Sequence, residues 1–358
     1  MKKMNVALIY GGKSPEHEVS CDSAASIAAE LVSGGHNLQP VYISREGTWI
    51  CQKINDIGTK KGVEVFPSLA DSCFYDVAHD ILIRPDVIFP IIHGKTGEDG
   101  VIQGLFELMG IPYAGSGVMA SACGMNKAIS KEIVKSSGIN VLPHVIISEE
   151  EKNNPGFCKK IDEAACLGFP LFVKPVSQGS SVGITKVKEK SELRDAVNNA
   201  FRFDTSVMVE KGVDSAREFV CGVLGSTAEC EAAPAGEVCV QGEHEFYDYE
   251  AKYLDDAGMQ LVIPAPIEKE HMEYVMNSAV KVFKALGCSG FARVDFFADR
   301  KTGEIWFGEV NTAPGFTSHS LYPALWKAAG FPVIKVLERI MDIAINEHIS
   351  SKKLEICR

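Results

Sequence analysis

Arg293, Asp295, Glu309 and Asn311 combine residue types and a spacing that can do chemistry. They sit in Arg293-Val294-Asp295-Phe296-Phe297 and Glu309-Val310-Asn311-Thr312-Ala313-Pro314-Gly315, on either side of Lys301-Thr302-Gly303. Both flanks, Gly290 to Ala298 and Glu304 to Val310, are rich in β-branched and aromatic residues. Asp299 to Gly303 between them carries turn chemistry, so the stretch predicts a β-hairpin. Pairing centred on Thr302 sets Asp295 opposite Glu309 to within one residue. Alternation along a strand then adds Arg293 to the face of Asp295 and Asn311 to that of Glu309, with Phe297, Ile305 and Phe307 further along. Two carboxylates and an amide oxygen are hard donors suited to Mg²⁺, which takes few protein ligands and fills its octahedron with water and phosphate oxygens. The competing reading is a solvated hairpin face whose charges only pair with one another, a common and weak arrangement.

The elements that must position these residues read as α/β. Asn5 to Tyr10 is a buried-strand run ending in Gly11-Gly12, and Ser14-Pro15-Glu16 reads as a helix start. Val87 to Ile92 is a second strand, followed by His93-Gly94-Lys95-Thr96-Gly97-Glu98-Asp99-Gly100 and by Val101, Leu105 and Leu108 at helical spacing. Strand-loop-helix units of this kind imply a mostly parallel sheet with ligands at the carboxyl ends of its strands. A second unit holds the strand Pro170 to Pro175, a loop Val176 to Gly183, and a helix with Leu193, Val197, Ala200 and Phe201 on one side. A third holds the hairpin, a long helix ending at Gly287, and a C-terminal helix with Ile334, Leu337, Met341, Ala344 and Ile345 inward. The expected domains are 1–125, 126–212 and 213–358. Glu243 to Gly258 is too polar and aromatic for a core, and a long ordered loop of that sort is usually functional.

With 358 residues, 46% hydrophobic and 23% charged, the chain has the composition of a soluble protein of two or three domains. A formal net charge of −11 argues against a nucleic-acid partner. No apolar run approaches the ~20 residues that span a bilayer, and the N-terminus lacks the features of a signal peptide. Eleven cysteines without paired spacing read as reduced residues of a cytoplasmic protein.

Two nucleotide motifs are missing. Gly12-Lys13-Ser14 has Ala7 where a P-loop needs its first glycine, and no G-x-G-x-x-G follows the first strand. Gly11-Gly12 instead suits close approach of a substrate to the backbone, at the start of a helix presenting Glu18. Taken alone, Glu18 is better explained as a helix-surface carboxylate. Gly179-Ser180-Ser181-Val182-Gly183, beside Lys174, has two hydroxyls and amides that can turn toward an anion, or it is a plain hairpin turn. Val207 to Lys211 reads as a strand whose end, at Glu210, could meet an adenine edge. His93 reads equally as a turn histidine or a substrate contact.

Together these stretches carry a resemblance over nearly the whole chain. Six segments stand in one order: Gly11 to Ser20, His93 to Gly100, Lys174 to Gly183, Tyr247 to Tyr253, Arg293 to Asp295, and Glu309 to Leu321. In them the chain resembles the ATP-grasp ligases, and within these the D-alanine–D-alanine ligases. The linker from Glu210 to Glu218 is about one residue longer than usual, which leaves the adenine contacts open. The resemblance implies a Rossmann-like N-terminal domain followed by a two-subdomain ATP-grasp fold. It also implies ATP-driven joining of two D-alanines through an acyl phosphate for peptidoglycan synthesis, in a cytoplasmic homodimer.

By matching position, Asp295, Glu309 and Asn311 are expected to hold two Mg²⁺ or Mn²⁺ ions. Lys127, Lys174, Lys252, Ser180 and Ser181 are expected at the phosphates, and Glu210, Lys211, Val213, Glu218, Phe246 and Phe297 around the adenosine. Arg293 and the Gly315 N–H are expected to stabilise the oxyanion. Glu18, in a network with Ser180 and Tyr253, is expected to bind the first ammonium, with His93 and Glu98 near that substrate and Ser320 and Leu321 at the second. The loop bearing Lys252 and Tyr253 is expected to close as a lid. Two alternatives remain within reach. One is a D-alanine–D-serine ligase of the vancomycin-resistance type, disfavoured by apolar Leu321; the lactate-forming type is disfavoured by the tyrosine-bearing lid sequence. The other is a silent ATP-grasp nucleotide-binding module, disfavoured because all three metal-ligand positions are present.

Overall fold

The computed structural model describes residues 3–154, 156–240 and 259–353. Among these, the strands form three sheets. The first contains β1 (Asn5–Gly11), β2 (Asn37–Ile43), β3 (Trp49–Cys51), β4 (Val63–Ser68), β5 (Cys73–Asp76), β6 (Ile81–Ile83) and β7 (Val87–Ile91), in the order β6-β5-β4-β3-β2-β1-β7. β1 runs parallel to both β2 and β7, which explains its unbroken apolar sequence: a central parallel strand is covered on both faces. Val6, Leu8 and Tyr10 face one core together with α1 (His17–Ser33), whereas Ala7 and Ile9 face another with α2 (Val101–Met109). The antiparallel extension β3 to β6 goes beyond what the sequence indicated, because its strands are short and mixed in polarity.

Two local expectations shift. α2 is present, but its buried stripe is Ile102, Phe106 and Met109, while Val101 and Leu108 face outward. α1 begins at His17, so Ser14 and Pro15 lie in the turn before it and Glu16 is its N-cap residue. Gly11 permits the sharp exit from β1: its φ is +91°, and a Cβ there would lie 2.3 Å from the Ile43 carbonyl oxygen.

The second sheet is antiparallel in the order β10-β9-β11-β8, from β8 (His144–Ser148), β9 (Leu171–Pro175), β10 (Thr185–Val187) and β11 (Ser206–Lys211). It is backed by α5 (Gly156–Ala165) and α6 (Lys190–Ala200), with Leu193, Val197 and Ala200 inward as the spacing predicts. Before it come α3 (Val118–Met125) and α4 (Lys127–Ser136), the latter capped by the Asn126 side chain, which accepts from the N–H groups of Ala128 and Ile129.

The third sheet comprises β12 (Arg217–Gly225), β13 (Cys230–Ala232), β14 (Gly236–Val240), β15 (Met259–Val262), β16 (Gly290–Ala298) and β17 (Ile305–Asn311). α7 (Lys269–Ala285), α8 (Leu321–Ala328) and α9 (Val333–Ser351) pack against it. β16 and β17 are the expected hairpin, and Asp295 pairs with Glu309 while Arg293 pairs with Asn311. The next pair is Phe296 with Phe307, leaving Gly308 as an extra residue. That bulge inverts the alternation of β17. Phe297 stays on the face of Asp295, but Ile305 and Phe307 turn into the core, contrary to the simple alternation.

Candidate active site

Two adjoining cavities collect the residues singled out by sequence. The larger, of about 980 Å³, is lined by Glu16, Glu18, His93, Glu98, Ser180, Arg293, Asn311, Gly315, Ser320 and Leu321. The smaller, of about 200 Å³, is lined by Lys174, Ser181, Glu210, Lys211, Val213, Glu218, Asp295 and Phe297. Lys127 and Glu309 line both, so the expected metal-ligand set stands where the cavities meet. Phe246, Lys252 and Tyr253, with the loop expected to act as a lid, lie outside the described residues.

One expected contact is corrected. Glu18 is exposed and its carboxylate takes the Arg45 guanidinium, which holds its pKa below the ordinary glutamate value. The acid that meets the glycine-rich loop is Glu16, which accepts a hydrogen bond from Ser180 Oγ. Starting α1 at His17 puts Glu18 in the first turn on the outer side, whereas Glu16 is nine-tenths buried. The glycine-rich loop is built to bring this hydroxyl across: Ser180 and Ser181 both adopt positive φ, +49° and +58°. Such strain in non-glycine residues concentrates at functional sites.

Glycine lets the backbone come close to the Glu16 carboxylate at Gly94 and to the opposite wall at Gly315. A Cβ on Gly94 would lie 2.8 Å from Glu16 Oε2. A Cβ on Gly315 would lie 2.9 Å from Ser320 Oγ and 3.8 Å from His93 Nε2. The loop carrying Gly315 is tied to α1, since the Phe316 N–H donates to Ser23 Oγ at 3.2 Å, and Ser23 Oγ lies 3.4 Å from His93 Nε2. His93 and Glu98 are both buried, 3.8 Å apart, and the Gly94 N–H donates to Glu98. Burial disfavours the charge on each. The nearby Glu98 carboxylate more than offsets this for His93, whose pKa is raised, while burial and the charge of Glu16 raise that of Glu98. Ser320 is the N-cap residue of α8, and its Oγ accepts from the Thr317 N–H at 2.9 Å. A helix N-terminus of this kind favours an anionic group.

At the junction, Arg293 donates through Nε and Nη2 to the two oxygens of Asp295, both at 2.7 Å. Lys127 Nζ lies 3.5 Å from Glu309 and donates to the Gln178 carbonyl at 2.6 Å. Asn311 Oδ1 accepts from the Ala313 N–H. Asp295, Glu309 and Asn311 therefore present hard oxygens on adjacent strands, and two cations, Arg293 and Lys127, stand beside them. The donor set fits a divalent cation shared with phosphate oxygens.

In the smaller cavity Glu210 is 1% exposed and lies between Lys131 at 2.7 Å and Lys174 at 2.6 Å. Burial opposes its charge, but the two ammonium groups win and hold its pKa at about 2. Sequence reasoning missed Glu16, Ser23 and Lys131. The spacing of Lys131 from Lys127, one helical turn, was the available signal for the last.

Comparison with known proteins finds two family models that match successive parts of the chain. Residues 5–116 match a family model described as D-ala D-ala ligase N-terminus, and residues 133–342 match one described as D-ala D-ala ligase C-terminus. The D-alanine–D-alanine ligase A of Bradyrhizobium diazoefficiens is 41% identical over 368 aligned residues, covering 99% of this chain and 98% of that protein. A D-alanine–D-alanine ligase of Thermoanaerobacter sp. strain X514 is 40% identical, covering 97% and 98%. Among solved structures, the VanG D-Ala:D-Ser ligase of Enterococcus faecalis superposes with a TM-score of 0.85 at 36% identity, covering 96% of this chain and 100% of that one. The D-alanine–D-alanine ligase of Coxiella burnetii gives 0.83 at 29% identity, covering 98% of each.

Proposed function

The chain belongs to the D-alanine–D-alanine ligase family, and from that premise we propose how its two cavities divide the family's reaction between them. The observation that carries the proposal is their junction: the larger and the smaller cavity share Lys127 and Glu309 in their walls. The family makes D-alanyl-D-alanine for peptidoglycan with ATP and a divalent metal.

In the proposed sequence, the first D-alanine lies in the larger cavity with its ammonium toward Glu16 and His93 nearby. Its carboxylate oxygen attacks the γ-phosphorus at the junction, the bond to the β-phosphate oxygen breaks, and ADP leaves. Phosphorylation gives a poor electrophile a leaving group, and such a transfer depends on positioning and charge neutralisation more than on covalent participation by the protein. Asp295, Glu309 and Asn311 would hold the Mg²⁺ or Mn²⁺ ions, whose contribution is to offset charge on the phosphates. Lys127, Lys174 and the Ser180–Ser181 loop serve the phosphates as further donors. The neutral amine of the second D-alanine, its carboxylate at Ser320, then attacks the acyl carbon. Arg293 and the Gly315 N–H stabilise the tetrahedral oxyanion, and its collapse expels phosphate as the amine loses its proton. Glu210, Lys211, Val213, Glu218 and Phe297 form the adenosine pocket. Cytoplasmic residence and a homodimeric state rest on the resemblance; among the described residues no helix is long and apolar enough to cross a membrane.

A serine-accepting reading has a specific observation in its favour, because a D-Ala:D-Ser ligase superposes as well as a D-Ala-D-Ala ligase does. Backbone likeness does not separate the two. Leu321 does: it is 5% exposed, lines the larger cavity beside Ser320, and offers no partner to a serine hydroxyl. Burying that hydroxyl unpaired costs about 1–3 kcal/mol, roughly tenfold to a hundredfold in selection. With ATP, Mg²⁺ and equimolar D-alanine and D-serine, chromatography is expected to show D-Ala-D-Ala as the dominant product. A majority of mixed dipeptide would overturn this reading in favour of the serine-forming type.

A further inference from the structure

Lys131 is a buried cation that the reaction described above does not use. It stands one turn after Lys127 on α4, so the two ammonium groups leave the helix on the same side. Lys127 reaches the junction of the cavities, whereas Lys131 reaches the floor of the smaller one. Lys131 is 1% exposed. Its Nζ lies 2.7 Å from Glu210 Oε1, donates to the Phe307 carbonyl at 3.2 Å, and sits 5.5 Å from the centroid of the Phe307 ring. All three partners are protein groups.

Lys174 shares Glu210 as a partner but is the more accessible of the two. Its ammonium binds Glu210 Oε2 at 2.6 Å, its side chain is 13% exposed, and it lies over Phe172 and Phe297 at the cavity wall. A triphosphate entering this cavity competes with Glu210 for Lys174, since a multiply charged anion is the stronger partner for an accessible ammonium. Once Lys174 turns to phosphate, Oε2 of Glu210 is released toward the cavity. A carboxylate left alone at that depth would take up a proton or swing away, because an unpaired buried charge is strongly disfavoured.

We propose that Lys131 is the fixed counter-ion that keeps Glu210 ionised and aimed at the base, so that it accepts from the 6-amino group of adenine and repels a 6-oxo purine. Lys131 is thus a positioning residue for nucleobase selection, acting through Glu210. The inference rests on the adenosine-pocket reading of the smaller cavity given above.

The test compares kcat/KM for ATP and ITP, two nucleotides differing in the 6-substituent, in the full-length enzyme with Mg²⁺ and D-alanine. Lys131→Met and Lys131→Gln remove the charge; the glutamine keeps a donor for the Phe307 carbonyl and guards against a folding failure of the methionine variant. Lys131→Arg keeps the charge. The wild type is expected to prefer ATP. The Met and Gln variants are expected to lower the ATP-to-ITP ratio about tenfold, with the Arg variant retaining most of it. In a Glu210→Gln background, Lys131→Gln is expected to change the ratio no further. A structural role alone would weaken both nucleotides equally and leave the ratio unmoved, which would overturn the inference while the pocket assignment stood. A wild-type ratio near one would instead overturn the pocket assignment itself, and the inference with it.

Discussion

At the scale of single residues, Glu16 and Glu18 are two positions apart and do unrelated things. Glu18 lies outside, paired with Arg45, an arrangement worth little at an exposed surface. Glu16 is enclosed by Gly94, Gly179 and the hydroxyl of Ser180. Replacing Glu16 by Gln removes a charged partner of the first substrate's ammonium. The expected loss is about 1.5–3 kcal/mol, or roughly tenfold to a hundredfold in apparent affinity for the first D-alanine. Glu18→Gln is expected to stay within about twofold of wild type. Steady-state kinetics on the two variants decide it, and a larger effect at position 18 would reverse the assignment. The sequence displayed both acids but not their order of importance, because that depends on where α1 starts. Ser14-Pro15 has the composition of a helix start, yet the backbone enters the helix only after Glu16.

The expected metal ligands belong to the same scale. Asp295→Asn and Glu309→Gln each keep size and remove one negative charge from the junction. Both are expected to abolish turnover while leaving circular dichroism and the thermal midpoint close to wild type. Near-normal activity of either would show that these carboxylates only balance Arg293 and Lys127.

At the scale of elements, the hairpin was the most legible part of the chain. Turn chemistry and β-rich flanks fix its centre, and with it the pairing of Asp295 with Glu309. The core side of β17 was not legible, because a one-residue bulge carries no pattern of its own. Gly308 tolerates it because a Cβ there would lie 3.0 Å from both the Asp295 carbonyl oxygen and the Phe297 ring. The strands β3 to β6 escaped notice for another reason: a three-residue strand such as Trp49–Cys51 or Ile81–Ile83 is too short to display alternation. α4 makes a different demand on its sequence, since Lys127 and Lys131 must project from a helix that is firmly started. Asn126 supplies that start by accepting two N–H groups at 3.1 and 3.0 Å. Asn126→Ala is expected to cost about 1 kcal/mol, seen as a thermal midpoint lower by about 2 °C, with a raised KM for ATP. A KM that rises while the midpoint is unchanged would show that Asn126 acts on the nucleotide directly and not through the helix.

At the scale of the whole molecule, the first sheet does not complete its own core. Val6, Leu8, Tyr10 and Phe89 share one apolar cluster with Phe291, Phe316, Tyr322, Leu337 and Ile340, far along the chain. The Phe89 ring is 6.1 Å from that of Phe291 and 6.2 Å from that of Phe316. Sequence patterning shows which faces are apolar, but not that one face of this sheet is covered by a partner more than two hundred residues away. The arrangement serves the site, because the same packing sets the loop of Gly315 against His93 and α1. It also has a consequence for folding. A fragment of residues 1–125 would expose the apolar face normally covered by the C-terminal helices and the aromatic cluster. Each large side chain so exposed forfeits about 1.5–3 kcal/mol, against a net stability of order 5–15 kcal/mol for a typical domain. The fragment is therefore expected to lack a cooperative thermal transition and to bind a hydrophobic dye, whereas the full chain unfolds cooperatively and does not. A fragment that melts sharply, with a midpoint near that of the intact protein, would show that the shared core is not required by the first sheet.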